Sequence, residues 1–129
     1  MMDVKQATEA CEKLLNEQLA RIAAMNSEKT DFTTKKCVTI GVVDGDGIGP
    51  IITQQATRVL KKLLAEEITA GTVIIKEIQG LTIENRAAVN KAIPDDVLAE
   101  LKECHVILKG PTTTPRAGDP WPNIESANV

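Results

Sequence analysis

The sequence predicts an α/β domain built on a parallel sheet and preceded by a separate helix. Helical and strand-like segments alternate along the chain, the order produced when crossover helices join parallel strands. Cys37–Val43 is a continuous apolar run, not an alternating one, as expected of a strand covered on both faces. Phe32 and Trp121 are the only aromatic residues, so the core must be assembled from Ile, Val, Leu and Ala. At 129 residues, 43% hydrophobic and 26% charged, the chain is long enough for one small domain and reads as folded.

Residues 3–25 carry Val4, Ala7, Cys11, Leu14, Leu15, Leu19, Ile22 and Met25 at helical spacing, which predicts an amphipathic helix. Asp3 can cap it, and Glu9–Lys13 and Glu17–Arg21 are expected i,i+4 pairs. Its apolar stripe is expected to pack within its own subunit or oligomer. Residues 26–36 are polar and aperiodic, a linker. After the strand at Cys37–Val43 and the loop Asp44–Gly49, Pro50 suits the first turn of a helix. The expected buried face of that helix is Ile52, Ala56, Val59, Leu60, Leu63 and Leu64. It should fade near Glu67, with Gly71 as terminator. Thr72–Ile78 predicts a second strand, and Leu81–Lys91 a loop plus a short helix. Pro94 opens another helix, with Asp95 and Asp96 in its first turn and Val97, Leu98 and Leu101 inward. His105–Lys109 is a third strand. Residues 110–125 hold four prolines, Pro111, Pro115, Pro120 and Pro122, and read as loop.

A net charge of −3 and a pI near 5.2, without a basic stripe, argue against nucleic-acid binding. No apolar run approaches the ~20 residues that span a bilayer. Acids at positions 3, 9, 12 and 17 argue against a targeting segment. Cys11, Cys37 and Cys104 are odd in number and far apart, giving neither a disulfide framework nor zinc spacing. Reduced thiols in a cytoplasmic protein are expected. His105, the sole histidine, falls in a strand and is expected to be structural, as is Arg86. Trp121 is expected to be a packing anchor.

Three short stretches follow strands or end the chain. Gly45-Asp46-Gly47-Ile48-Gly49-Pro50 has neither the dinucleotide glycine spacing nor the Lys-Ser/Thr of a P-loop. Taken alone it is a tight turn that a ligand could approach closely. In Lys109-Gly110-Pro111-Thr112-Thr113-Thr114-Pro115, a lysine at a strand end can meet a carboxylate, and threonine hydroxyls can donate to one. Ser126-Ala127-Asn128 alone says little. Loops 44–49 and 110–128 both follow strand C-termini, where ligands of α/β sheets sit.

Together GDGIGP, GLTIENR with AIPDDVL, KGPTTTP and Ser-x-Asn resemble, in order, the start of the isocitrate/isopropylmalate dehydrogenase family. The resemblance spans residues 37–129 and is closer to isocitrate dehydrogenases. It implies a first domain comprising residues 1–36, helix and linker, and a second comprising 37–129, a partial parallel-sheet domain of that fold. By resemblance Ile48, Gly49, Thr113 and Thr114 contact the dinucleotide, and Lys109, Thr113, Ser126 and Asn128 contact substrate. Ser126 and Asn128 would hold the carboxylate arm of isocitrate, where isopropylmalate dehydrogenases carry apolar residues. One departure is Ile51, where the family usually has an acid.

The activity so implied is oxidative decarboxylation of isocitrate with NAD or NADP, NAD being slightly preferred, assisted by Mg2+ or Mn2+. No metal ligand can be assigned within the chain. The expected partners are the small-molecule substrate and further copies or the rest of the enzyme, with no nucleic acid and no membrane. The chain contains no tyrosine, and the family uses a tyrosine and a second lysine in proton transfer. It is therefore expected to be an N-terminal fragment, inactive by itself and marginal or oligomeric, because unpaired strands stay exposed. The alternatives are a short assembly module pairing with a full-length dehydrogenase, and an isopropylmalate dehydrogenase fragment.

Overall fold

A computed structural model describes residues 3–25 and 29–128 and divides into two compact units between Asp31 and Phe32. Predicted linker residues 26–28 lie outside the described residues. The first unit is α1, Val4–Ala23. Asp3 caps it as expected, accepting from Gln6 N at 2.7 Å while Gln6 Oε1 accepts from Asp3 N at 3.2 Å, a capping box. The ion pairs fall in a different register from the one expected: Lys5–Glu9 at 4.0 Å and Lys13–Glu17 at 3.9 Å, while Arg21 donates to Gln18 at 2.9 Å. Such exposed pairs contribute at most about 1 kcal/mol, so charge order decides their register only weakly. No residue of α1 is buried.

The second unit opens with a single 3-10 turn at Phe32–Thr34. It then runs β1 (Val38–Val43), α2 (Gly49–Leu63), α3 (Ala65–Thr69), β2 (Val73–Glu77), α4 (Ile83–Val89), α5 (Asp95–Lys102) and β3 (Val106–Lys109). The strands form a parallel sheet in the order β2-β1-β3, as the alternation predicts. β1 pairs on both sides, Ile40 facing Ile75 and Val106 in register. Its residues Ile40–Val43 are all buried, which explains the unbroken apolar run. β2 and β3 are edges among the described residues, and Ile74, Val106 and Ile107 stay about half exposed. His105 is structural: its Nδ1 accepts from Thr39 N at 3.0 Å, and its own N–H donates to Thr39 O at 2.9 Å. The core gathers Val43, Ile78, Leu81, Val97 and Ala127.

The long helix predicted from Pro50 is two helices broken at Leu64, and its buried face is not the expected one. Ile52, Ala56, Val59 and Leu63 are exposed, whereas Gly49, Thr53 and Thr57 are buried. The cause is close approach. A Cβ at Gly110 would stand 2.8 Å from Thr53 Oγ1, so α2 meets the strand ends through its smallest side chains. Leu60 and Leu64 are half-buried. Gly71 ends α3 in the left-handed region, φ 74°, as predicted.

Candidate functional site

β1 delivers the chain into Asp44–Gly49, and β3 delivers it into the segment from Gly110. The two loops meet backbone to backbone. Asp46 N donates to Pro111 O at 2.7 Å, and Gly110 N donates to Val43 O at 2.7 Å. Only glycine permits this approach. A Cβ at Gly45 would lie 2.0 Å from Pro111 O, and one at Gly110 would lie 2.1 Å from Asp44 O. Gly45 also has φ 73°, a region costly for other residues.

The Asp46 carboxylate fixes two further segments. Oδ1 accepts from Ile83 N at 2.8 Å, and Oδ2 accepts from Thr113 N at 2.7 Å. Ile83 is the first residue of α4, where a negative charge is favoured. From the same helix Arg86, 0% exposed, donates to Ala92 O at 2.7 Å, Thr113 O at 2.6 Å and Glu125 O at 2.7 Å. Thus Thr113 is held at its backbone N–H by a carboxylate and at its carbonyl by a guanidinium.

This framework brings Lys109, Ser126 and Asn128 together. Lys109 Nζ donates to Asn128 Oδ1 at 2.7 Å, Thr112 Oγ1 at 3.0 Å and Gly110 O at 3.0 Å. All three acceptors are uncharged. Asn128 N donates to Ser126 Oγ at 3.2 Å, which leaves the Ser126 hydroxyl hydrogen available to another acceptor. Because Asn128 Oδ1 faces the ammonium, its Nδ2 hydrogens point elsewhere as donors. Burial holds the Lys109 pKa below the ordinary lysine value, Arg86 lowers it further, and Asp46 opposes both. Thr113 is partly buried and bonds through its backbone, while Thr114 is exposed.

Of the residues expected at the dinucleotide, Ile48 is 67% exposed at the loop tip. Gly49 is buried and gives its N–H to Asp46 O at 2.9 Å. A Cβ at Gly47 would meet nothing within 4 Å, so the open side of the loop is Gly47 and Ile48. A cleft of about 440 Å3 beside this loop is lined by Asp44, Ile51, Gln54, Thr57, Arg58, Lys61 and Glu77, among others. Lys109, Ser126 and Asn128 do not line it. Among the described residues no group of three His, Cys, Asp or Glu side chains could hold a metal, and no helix is long and apolar enough to cross a membrane.

Sequence reasoning missed Asp46 and the reach of Arg86. Asp46 carried a signal, the one acid between Gly45 and Gly47. For Arg86 nothing local shows that residues 92, 113 and 125 converge on it.

The family model described as isocitrate/isopropylmalate dehydrogenase matches residues 39–127. The chain is 34% identical over 95 residues to a 3-isopropylmalate dehydrogenase 1 of Bradyrhizobium diazoefficiens, covering 74% of this chain and 24% of that protein. It is 36% identical over 88 residues to a 3-isopropylmalate dehydrogenase of Desulfitobacterium hafniense, covering 68% and 23%. It is 31% identical over 78 residues to a homoisocitrate dehydrogenase of Methanocaldococcus jannaschii, covering 60% and 20%. The chain thus spans about a quarter of the length of the curated relatives it matches. No solved structure matches it.

Proposed function

The chain belongs to the isocitrate/isopropylmalate dehydrogenase family, and from that premise we propose that residues 37–128 form the carboxylate-binding wall of an isocitrate dehydrogenase. The reaction is oxidation of the substrate's 2-hydroxyl carbon to a carbonyl, then loss of the β-carboxylate as carbon dioxide. One observation carries the substrate reading: Lys109 Nζ lies 2.7 Å from Asn128 Oδ1, and its acceptors among the described residues are all uncharged. Among the described residues, no carboxylate is bonded to the ammonium. Beside it stand two further donors, Asn128 Nδ2 and the Ser126 hydroxyl. Such a cluster suits a charged arm. An alkyl branch that shut water out from these donors would leave them unpaired, at a cost of about 1–3 kcal/mol each.

In this reading Lys109 supplies the charge, Asn128 and Ser126 orient the arm, and Thr113 lies beside the substrate. Entry of a carboxylate requires Lys109 to exchange at least one of its three present bonds. The open side of the glycine loop is the face proposed for a nicotinamide dinucleotide, a reading supported by the clear Gly47 backbone and the apolar surface of Ile48. When bound, the dinucleotide supplies the hydride acceptor; Thr114 and the exposed loop tip are the residues proposed to meet it, NAD being preferred over NADP. The described residues do not fit the family's divalent metal, since no three His, Cys, Asp or Glu side chains among them come together. A homo-oligomer in the cytoplasm is proposed as the setting.

The test is a titration of the 15N-labelled chain with isocitrate and, separately, with 3-isopropylmalate, following the Asn128 side-chain amide. Isocitrate should shift it and 3-isopropylmalate should not. The reverse would establish the isopropylmalate reading, which the names of two relatives favour. A response to neither would remove Asn128 from the substrate wall.

A second reading rests on α1. It lies outside the matched residues, and none of its residues is buried. In that reading the chain is an assembly module that docks on a larger dehydrogenase subunit through the stripe from Val4 to Met25. Co-purification that survives in the intact chain but is lost on Leu15→Glu and Leu19→Glu would support it.

A further inference from the structure

We infer that Arg86 is a positioning residue for the Lys109–Asn128 cluster, acting with Asp46 through the backbone N–H and carbonyl of Thr113. A guanidinium is costly to bury, and hydrophobic residues of similar volume often serve a core as well or better. None of the ion pairs among the described residues involves Arg86. Its three bonds go instead to carbonyls of three separate segments, at residues 92, 113 and 125. A planar fork of N–H donors is the side chain that can do this at fixed angles. Two of those carbonyls lie at residues expected to hold substrate: one belongs to Thr113 itself, in the lysine loop, and the other, Glu125 O, immediately precedes Ser126.

Asp46 completes the grip. It holds Thr113 N at 2.7 Å and the first N–H of α4 at 2.8 Å, so the helix that carries Arg86 is tied to the glycine loop. The three segments that make the candidate site therefore share one anchor. The two charges also act on Lys109 in opposite directions, Arg86 lowering its proton affinity and Asp46 raising it. The inference rests on the proposed function only for what the cluster binds; the positioning itself can be read without substrate.

The test uses the intact chain carrying R86M, R86K or D46N, with Lys109 titrated by 13C NMR and backbone amide exchange measured residue by residue. R86M should move the Lys109 pKa up and D46N should move it down. R86K keeps a charge but cannot span three carbonyls. It should raise amide exchange at Thr113 and Asn128 at least tenfold while β1 stays protected. D46N preserves volume and supplies the sign of the Lys109 shift whether or not R86M folds. The inference is overturned if R86K leaves Asn128 exchange unchanged, if β1 loses protection as much as Asn128 does, or if D46N raises the Lys109 pKa. If wild-type chain fails to bind isocitrate while these shifts occur as stated, the substrate reading falls and the positioning role stands.

Discussion

Gly110→Ala tests the contact that brings the two loops together. The added Cβ would sit 2.1 Å from Asp44 O, 2.9 Å from Asp44 C and 2.8 Å from Thr53 Oγ1. The nearest obstacle is backbone, so no side-chain rotation can relieve it. A comfortable carbon–oxygen contact is over 3 Å, and Asp44 or Gly110 must move by roughly 1 Å. Overpacking of this kind costs about 1–3 kcal/mol. The shift also strains the Gly110 N–Val43 O bond, 2.7 Å long, whose loss adds about 1 kcal/mol. The expected destabilisation is about 2–4 kcal/mol. In urea, where a chain of this size loses about 1–3 kcal/mol of stability per molar, the midpoint should fall by roughly 1–2 M. Circular dichroism, with Trp121 fluorescence as a second probe, reads it. Gly47→Ala is the control. Its Cβ would meet nothing within 4 Å, and its φ of 59° should cost only about 1–2 kcal/mol. A Gly110→Ala midpoint equal to or above that of Gly47→Ala would refute the close approach of the two loops.

The corrected face of α2 makes a paired prediction. Val59→Ser, at a 59% exposed site, should change stability by under about 0.5 kcal/mol, whereas Thr53→Leu, at 3% exposure, should cost about 1–3 kcal/mol; thermal melts of both variants decide it. Lys109 loses its proton more readily when folded than unfolded. The unfolded chain therefore binds more protons between the depressed folded pKa and the ordinary value of 10.5. Stability linked to this group should rise with pH across that window, while affinity for a substrate carboxylate should fall there; K109M should abolish both dependences. Glu103 is held below its ordinary value by its hydrogen bond to Lys76. Its stabilisation is present above the ordinary value and is lost as pH falls through the folded pKa, so Lys76→Met should flatten the acid limb of the stability profile.

The sheet was legible because its signal is local. A strand buried on both faces must be apolar at every position, and Ile40–Val43 show that directly. Capping by Asp3, the first-turn acids of α5 and termination at Gly71 are likewise decided within a few residues. The face of α2 was misread because periodicity counts hydrophobicity and ignores separation. Where a helix touches backbone, Gly49 and Thr53 face inward because larger side chains do not fit. The cluster of Lys109, Ser126 and Asn128 was legible only through motif resemblance. Their bonds cross 19 residues in the case of Lys109 and Asn128, and no local rule predicts that meeting.

Helix α4 shows why the site must form as a unit. At 7 residues it is far shorter than the ~12–15 residues an isolated helix needs for even marginal stability. Its order comes from outside: Thr82 caps it, Asp46 takes its first N–H, and Ile83 and Arg86 are buried. Yet the loops that supply this order are themselves anchored by α4, through Asp46 on one side and Arg86 on the other. Neither arrangement is stable first. The glycine loop, the lysine loop and the Ser-x-Asn segment should therefore gain protection together on folding and lose it together on local unfolding. A substitution at any one of Asp46, Arg86 or Gly110 should then open the same group of amides, at residues 83, 110, 113 and 128. Independent opening of these amides would show that the loops are ordered separately, and that α4 is a bystander to the site.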